Sequence, residues 1–226
     1  LSRDGYLKKM TDRVLRKATT LKYKDGDEPF IEFDSSNTHD LLVFTNQCQV
    51  YKCKVAAFED TKSAQLGSYL PTDLEMDADE TATWVIDPED YKADVLFVFE
   101  NGRVARVALS GYATKTNRKR LKNAIYGGSK LMYATVLKEE RDLALVSSDY
   151  RLVNFNTSLL KTKTTNSTQG VQALTIKGSR TVTMVGTAEE FIGGKAQVEK
   201  FRAEKLPSAG APMKETDMKS LFDLEE

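Results

Sequence analysis

Apolar residues fall along this chain in short bursts separated by polar turns, and the bursts repeat. Asp40-Leu41-Leu42-Val43-Phe44-Thr45 and Val50-Tyr51-Lys52-Cys53-Lys54-Val55 are β-branched and aromatic runs joined through Asn46-Gln47, the pattern of a β-hairpin. The frame returns at 94–107 with Asn101-Gly102 at its tip, a pair that tolerates positive φ at both positions and so predicts a type I′ turn. A third copy occupies 142–155, where Asp149-Tyr150 makes a less ideal turn. Arg3-Asp4-Gly5-Tyr6-Leu7-Lys8-Lys9-Met10 reads as the second half of a further hairpin. The complete copies start at 40, 94 and 142, so they are 54 and 48 residues apart, an array with a period of about 50 residues in the range of propeller-like repeats. Shorter strands are expected at 83–86, 131–137, 171–176 and 181–185. Each blade would bury a face on its neighbour, which predicts one cooperative all-β assembly of about four blades over residues 1–205. From Leu206 the composition turns to Pro207-Ser208-Ala209-Gly210-Ala211-Pro212 and then to acids, so 206–226 is expected to be a mobile acidic tail able to compete with phosphate for a basic surface.

Composition changes this picture little. At 226 residues and 40% hydrophobic the chain can fill a sizeable core, and its longest apolar run, Val95-Leu96-Phe97-Val98-Phe99, is far short of the roughly 20 residues that cross a bilayer. With no secretion signal, a cytoplasmic location without membrane association is expected. The start at Leu1 without Met suggests a piece of a longer protein. Cys48 and Cys53 lie five residues apart, on opposite faces of a strand, and with His39 the only histidine no zinc spacing exists; no metal or other cofactor is expected.

Charge matters more. The 33 basic and 33 acidic side chains balance in sum but segregate along the chain. Residues 1–24 carry eight bases against Asp4 and Asp12; 115–130 hold Lys115, Arg118, Lys119, Arg120, Lys122 and Lys130 with no acid; 161–180 add Lys161, Lys163, Lys177 and Arg180, also unopposed. Nine carboxylates with only Lys92 gather between Asp73 and Asp94, in a spacing that fits an exposed connector better than a calcium loop.

The frames Leu41-Leu42-Val43-Phe44-Thr45-Asn46 and Val50-Tyr51-Lys52-Cys53-Lys54-Val55, the opening Arg3-Asp4-Gly5-Tyr6-Leu7-Lys8-Lys9, and Thr168-Gln169-Gly170-Val171-Gln172-Ala173-Leu174 together resemble the C-terminal domain of the A subunit of bacterial type IIA topoisomerases, DNA gyrase and topoisomerase IV. The resemblance covers the chain up to about residue 205. It implies a β-pinwheel, a propeller-like disc whose blades exchange strands and whose basic rim binds and bends duplex DNA, here of about four blades as a full, open or reduced disc. It also implies partners: the N-terminal cleavage core of the same polypeptide, and the ATPase subunit of an ATP-hydrolysing holoenzyme, near the nucleoid. The seven-residue Gln/Arg/Gly/Lys box of the gyrase family is absent and the chain is shorter than the usual five or six blades, which favours a topoisomerase IV-like or reduced version.

No catalytic grouping stands out. His39 follows Ser35-Ser36-Asn37-Thr38 and is expected in a solvated turn; Gly127-Gly128-Ser129-Lys130 and Gly193-Gly194-Lys195 lack the P-loop frame; Trp84 reads as a core residue. The basic segments are the functional candidates, because each phosphate neutralised by Lys or Arg releases condensed counterions. The residues expected to contact DNA are Arg3, Lys8, Lys9, Arg118, Lys119, Arg120, Lys122, Lys130, Lys161, Lys163, Lys177 and Arg180. The sequence supports a non-catalytic duplex-binding and bending module; the alternative is a propeller-like protein-interaction scaffold using the acidic connectors and tail.

Overall fold

The computed structural model describes residues 1–114, 119–193, 195–214 and 217–218. Its strands are β1 (Tyr6–Leu7), β2 (Asp40–Thr45), β3 (Val50–Lys54), β4 (Ser68–Tyr69), β5 (Ala82–Ile86), β6 (Asp94–Phe99), β7 (Arg103–Ala108), β8 (Arg120–Leu121), β9 (Leu131–Leu137), β10 (Asp142–Ser147), β11 (Arg151–Asn156), β12 (Val171–Gln172), β13 (Val182–Gly186) and β14 (Ala211–Pro212). Single helical turns lie in the connections: α1 (Asp12–Leu15), α2 (Leu70–Asp73), α3 (Ala188–Phe191) and α4 (Lys195–Val198). The chain is all-β, in blades of the pinwheel type: three four-stranded antiparallel sheets, ordered β5-β2-β3-β8, β9-β6-β7-β12 and β13-β10-β11-β14, and a two-stranded one, β1-β4.

One rule builds every four-stranded sheet. The hairpin is flanked on its first strand by the long strand that follows it and on its second strand by a two-residue strand delivered from further along the chain. Thus β8 reaches β3 only after the β6–β7 hairpin has been made, and β12 reaches β7 only after β10–β11. This is the strand exchange that the resemblance implies. Two compact units contain the sheets. Residues 1–92 with 112–127 hold β1-β4 and the β2–β3 blade; residues 93–111 with 128–226 hold the β6–β7 and β10–β11 blades.

The central strands are apolar on both faces because both are buried. In β10, Leu143 and Leu145 enter a core with Leu96, Val104, Phe155 and Leu174, while Ala144 and Val146 pack on the other side against Ala188, Ile192, Val198 and Phe201. In the first unit Leu41 and Val43 share a core with Leu7, Val55, Phe58 and Val85, and Phe44 meets Tyr112 edge-on at 5.7 Å. Such two-faced burial explains why the runs read as continuous rather than alternating. Trp84 is buried, with Phe30 edge-on at 5.1 Å.

Three expectations are corrected. The hairpin at Asn101-Gly102 is not type I′: only Gly102 of the pair has positive φ (79°), and its N–H donates to Phe99 O at 2.9 Å. The same turn, with one left-handed residue at its end, recurs at Gly5, Cys48 and Tyr150 (φ 90°, 58° and 58°), so Cys48 and Tyr150 adopt the conformation without glycine. Gly102 is required for a second reason, since a Cβ there would collide with the Leu174 carbonyl oxygen. The tail does not detach at 206: Ser208 N donates to Ala173 O at 3.0 Å, β14 pairs with β11, and Met213 is buried against the third blade, because the outer edge of β11 needs a strand and these residues supply it. His39 is not solvated in a free turn; its Nδ1 lies 2.8 Å from the buried carboxylate of Asp87, which also accepts from Ser35 Oγ.

Candidate nucleic-acid interface

The sequence nominates cations by density, and the structure divides them by what their head groups meet. Arg120 arrives on the exchanged strand β8 and is held at once. Its guanidinium donates to Asp77 Oδ1 at 2.9 Å and to Tyr51 Oη at 3.1 Å, with its carbon 5.8 Å from the Tyr51 ring centroid. Tyr51 in turn donates at 2.7 Å to Glu80, a buried carboxylate that also accepts from Thr45 Oγ1 and from the Asp77 N–H. Asp77 and Glu80 thus join Asp87 as acids of the 73–94 stretch bound into the first unit, and Glu80 and Asp87 depart from the expected exposed connector.

Arg3 is held in the same way, with Nε 3.3 Å from Glu28 and its guanidinium 3.8 Å over Phe30. Lys9 donates to the Phe58 carbonyl at 2.7 Å and sits 3.2 Å from Asp60, its side chain mostly buried. Lys8 donates to the Gln65 carbonyl, and burial, with Lys22 nearby, lowers its pKa. Arg180 pairs with Asp149 at 3.2 Å in a more open setting. All five have a partner within the protein, and phosphate contact at Lys9 and Arg120 would compete with native bonds. Arg118 lies outside the described residues.

Lys119, Lys122, Lys130, Lys161, Lys163 and Lys177 are different: all are exposed, and none has an ion pair among the described residues. Several are fixed at the backbone while the amine stays free. Lys163 N–H donates to Arg106 O at 2.8 Å and its carbonyl accepts from Ala108 at 2.9 Å, so the connector runs as an extended rail beside β7. Likewise Lys119 O accepts from Lys52 N–H at 2.7 Å and Lys130 O from Glu100 N–H at 2.9 Å. A rigid backbone with long, unpaired ammonium groups can meet phosphates at little ordering cost beyond the side chains themselves.

One set of structural charges escaped the sequence reading although its signal was visible in all three copies: each hairpin begins with Asp. Asp40 is 2.7 Å from Lys54 and accepts from Tyr91 Oη at 2.6 Å; Asp94 takes Arg106 Nε at 2.6 Å; Asp142 takes Arg202 at 2.9 Å. Burial opposes the charge on Asp40, but Lys54, Tyr91 and Lys52 outweigh it and hold its pKa below the usual carboxylate range. Both thiols are free and poorly ionised: burial raises the pKa of Cys48, and burial, aided by Asp40, pushes that of Cys53 up to about 12. Among the described residues no three His, Cys, Asp or Glu side chains converge as a metal site, and no helix is long and apolar enough to cross a membrane.

What the fold and this surface define is a strand-exchanged β-pinwheel array with backbone-mounted lysines on its connectors. Comparison with known proteins points to one group. The chain is 28% identical over 125 residues to the A subunit of DNA topoisomerase 4 from Bacillus subtilis, covering 54% of the chain and 16% of that protein. It is 23% identical over 190 residues to the corresponding protein of Staphylococcus epidermidis, covering 81% and 24%. The C-terminal domain of E. coli ParC superposes with a TM-score of 0.71 at 16% identity, over 96% of this chain and 93% of that one. No protein-family model matches. The chain therefore spans about a sixth to a quarter of the length of the curated relatives it matches, and the likeness lies where the sequence resemblance put it, with the C-terminal β-pinwheel domain of type IIA topoisomerase A subunits.

Proposed function

We propose that the chain is a non-catalytic module that binds and bends duplex DNA within the A chain of a type IIA topoisomerase, presenting the duplex to a cleavage core elsewhere in the same polypeptide. Strand cleavage belongs to that core and ATP hydrolysis to a separate subunit of a cytoplasmic, nucleoid-associated holoenzyme. The observation that carries the reading is the division of the cations: among the described residues Lys119, Lys122, Lys161 and Lys163 stay exposed and without an ion pair on connectors of successive blades, while Arg120 and Arg106 beside them are tied to carboxylates. Bending a 20–30 base-pair site by 40–90° costs on the order of 1–6 kcal/mol, which contacts spread over several connectors can offset. The scaffold alternative is weakened because Glu80, one of the acids it would use, is buried inside the blade, and Asp77 is engaged at the surface by Arg120.

A mobility-shift titration of random-sequence duplex at about 50 and 200 mM salt tests this. Affinity independent of sequence and falling steeply with salt is the expected result. A flat salt response would remove the lysine interface.

A further inference from the structure

Four hairpin turns place a residue in the same left-handed conformation, and one of the four carries a side chain for which the turn has no use. Gly5, Cys48, Gly102 and Tyr150 each accept, at the backbone carbonyl, from the N–H of Leu70, Ala124, Ala173 and Met213 respectively, at 3.0, 2.8, 2.9 and 2.9 Å. Any residue can supply that carbonyl, and glycine supplies it without the steric cost that a Cβ meets at positive φ. Cys48 gains something in return, since its thiol is half-buried with the Tyr126 carbonyl 3.9 Å away; so does Tyr91, another aromatic residue at positive φ, whose hydroxyl donates to Asp40 at 2.6 Å. Tyr150 gains nothing inside the protein. At 55% exposure and φ 58° it is the most exposed of the large apolar and aromatic side chains described, and neither its hydroxyl nor its ring has a partner among the described residues.

The backbone beneath that ring is fixed. Tyr150 N–H donates to Ser147 O at 2.8 Å, Ser148 N–H donates to Thr181 O at 2.8 Å, Ser148 Oγ accepts from Thr181 N–H at 3.2 Å, and Asp149 meets Arg180 at 3.2 Å. Lys177 and Arg180 therefore lie on a segment laced to this turn, and Lys214 follows Met213 on the other segment bonded to it; all three are exposed. We propose that Tyr150 is a non-ionic DNA contact, its ring laid in a groove against deoxyribose and base edges while Lys177, Lys214 and their neighbours hold the flanking phosphates. This contact rests on the proposed duplex binding and adds to it a side chain that does not read charge. A bulky residue held at positive φ with no internal partner is strain that the fold does not repay, and such strain gathers where a side chain serves a ligand. A flat ring on a fixed turn has little freedom to lose on contact. Apolar side chains set against base steps also favour a bent duplex, the form that the proposed function requires.

The test compares the whole chain with its Tyr150→Gly, Tyr150→Phe and Tyr150→Trp variants. Tyr150→Gly is expected to lower affinity for random-sequence duplex by about fivefold or more, with the slope of log affinity against log salt unchanged because no phosphate contact is lost. Its melting midpoint should stay where it is or rise, since glycine accepts positive φ. Tyr150→Phe should bind as the parent does. Tyr150→Trp should bind at least as well, with an indole emission that added duplex quenches, while the buried Trp84 of the parent shows no such change. Parental affinity in Tyr150→Gly would overturn the proposal, and so would a midpoint lowered by several degrees, which would make the ring a packed part of the fold. A loss in Tyr150→Phe equal to that in Tyr150→Gly would give the contact to the hydroxyl and overturn the role of the ring. The parent keeps the two claims apart: if it binds duplex with steep salt dependence and Tyr150→Gly matches it, the tyrosine contact alone falls, whereas a parent that does not bind duplex overturns both.

Discussion

The exchanged strand β8 and the connector leading to β12 look alike in sequence, each dense in cations with no acid nearby, yet their charges do opposite work. On β8, Arg120 is spent on Asp77 and Tyr51 and adds a side-chain fastening to a two-residue strand. On the connector, Lys163 is fastened by its backbone and keeps its amine in solvent. The difference generalises. Arg106, Arg120 and Arg202 all reach carboxylates, and Arg151 reaches the Ala209 and Gly210 carbonyls beside β14, whereas the described candidates exposed without an ion pair, Lys119, Lys122, Lys130, Lys161, Lys163 and Lys177, are all lysines. A planar fork with several fixed donors suits stapling one strand to another; a compact, strongly hydrated ammonium on a flexible stem does not, and is left for an external anion.

The largest effect should come from the most buried staple. Arg106 is about four-fifths covered and donates to Asp94 at 2.6 Å and Glu140 at 2.7 Å, with the Leu160 carbonyl at 3.4 Å. Arg106→Ala strands two partly covered carboxylates and is expected to cost about 2–3 kcal/mol in urea unfolding, while the variant that folds binds DNA with unchanged salt dependence. A loss below about 0.5 kcal/mol would show that the connector is held by its backbone bonds alone.

The next experiment sets the two regions side by side. Lys161→Glu with Lys163→Glu should leave stability within about 0.5 kcal/mol and flatten the slope of log affinity against log salt by about 1.8, two phosphates' worth. Arg120→Gln should do the reverse, lowering the melting midpoint with the slope unchanged. If Arg120→Gln flattens the slope as well, β8 releases its arginine to DNA and the comparison collapses.

Much of this was legible in the sequence, and the limits are physical. The hairpins were, because a run buried on both faces has to be apolar throughout and its turn has to be polar. Of the exchanged strands, only β12 fell in an expected strand, at 171–176; β8 and β14 did not. Arg120-Leu121 and Ala211-Pro212 carry no periodicity, and their pairing is decided by a hairpin made much earlier in the chain. The turn type was missed because Asn-Gly is only one way to end a hairpin, and Cys48 and Tyr150 take the same left-handed position. Of the candidate contacts, Lys119, Lys122, Lys130, Lys161, Lys163 and Lys177 are exposed without an ion pair among the described residues; the pairing of Arg3, Lys9 and Arg120 was not legible, since their partners, such as Asp77 for Arg120, lie in segments that only the fold brings near. Docking of 206–213 was hidden by a composition of Pro, Ser, Ala and Gly that suits a short edge strand as well as a linker.

Acid should separate staples from free cations in a further way. The folded pKa of Asp40 is lowered, so its contribution is fully present above the unfolded value of about 3.9 and is lost as pH falls through the folded one. Asp40→Asn is therefore expected to be less stable than the parent at pH 7, with the gap narrowing as pH drops below about 4. Charge reversal at Lys161 and Lys163 should show no such convergence. A gap for Asp40→Asn that is constant with pH would mean that its hydrogen bond with Tyr91, not its charge, does the work.

The smallest effect lies at Arg180, which stands between the two classes. Its bond to Asp149 is 3.2 Å and both side chains are substantially exposed, so the pair is worth at most about 0.5 kcal/mol. Asp149 has a second attachment, accepting from Ser147 Oγ at 2.7 Å, and this bond, ahead of burial and of Arg180, leads the influences that leave its pKa low. Asparagine can keep that bond through its own oxygen. Asp149→Asn should therefore preserve the turn and release only the guanidinium. If Arg180 then behaves like the free lysines, the salt slope steepens by up to about 0.9, one added phosphate, and affinity at low salt rises a few-fold. An unchanged slope would put Arg180 with the staples and confine the DNA-facing set to lysines.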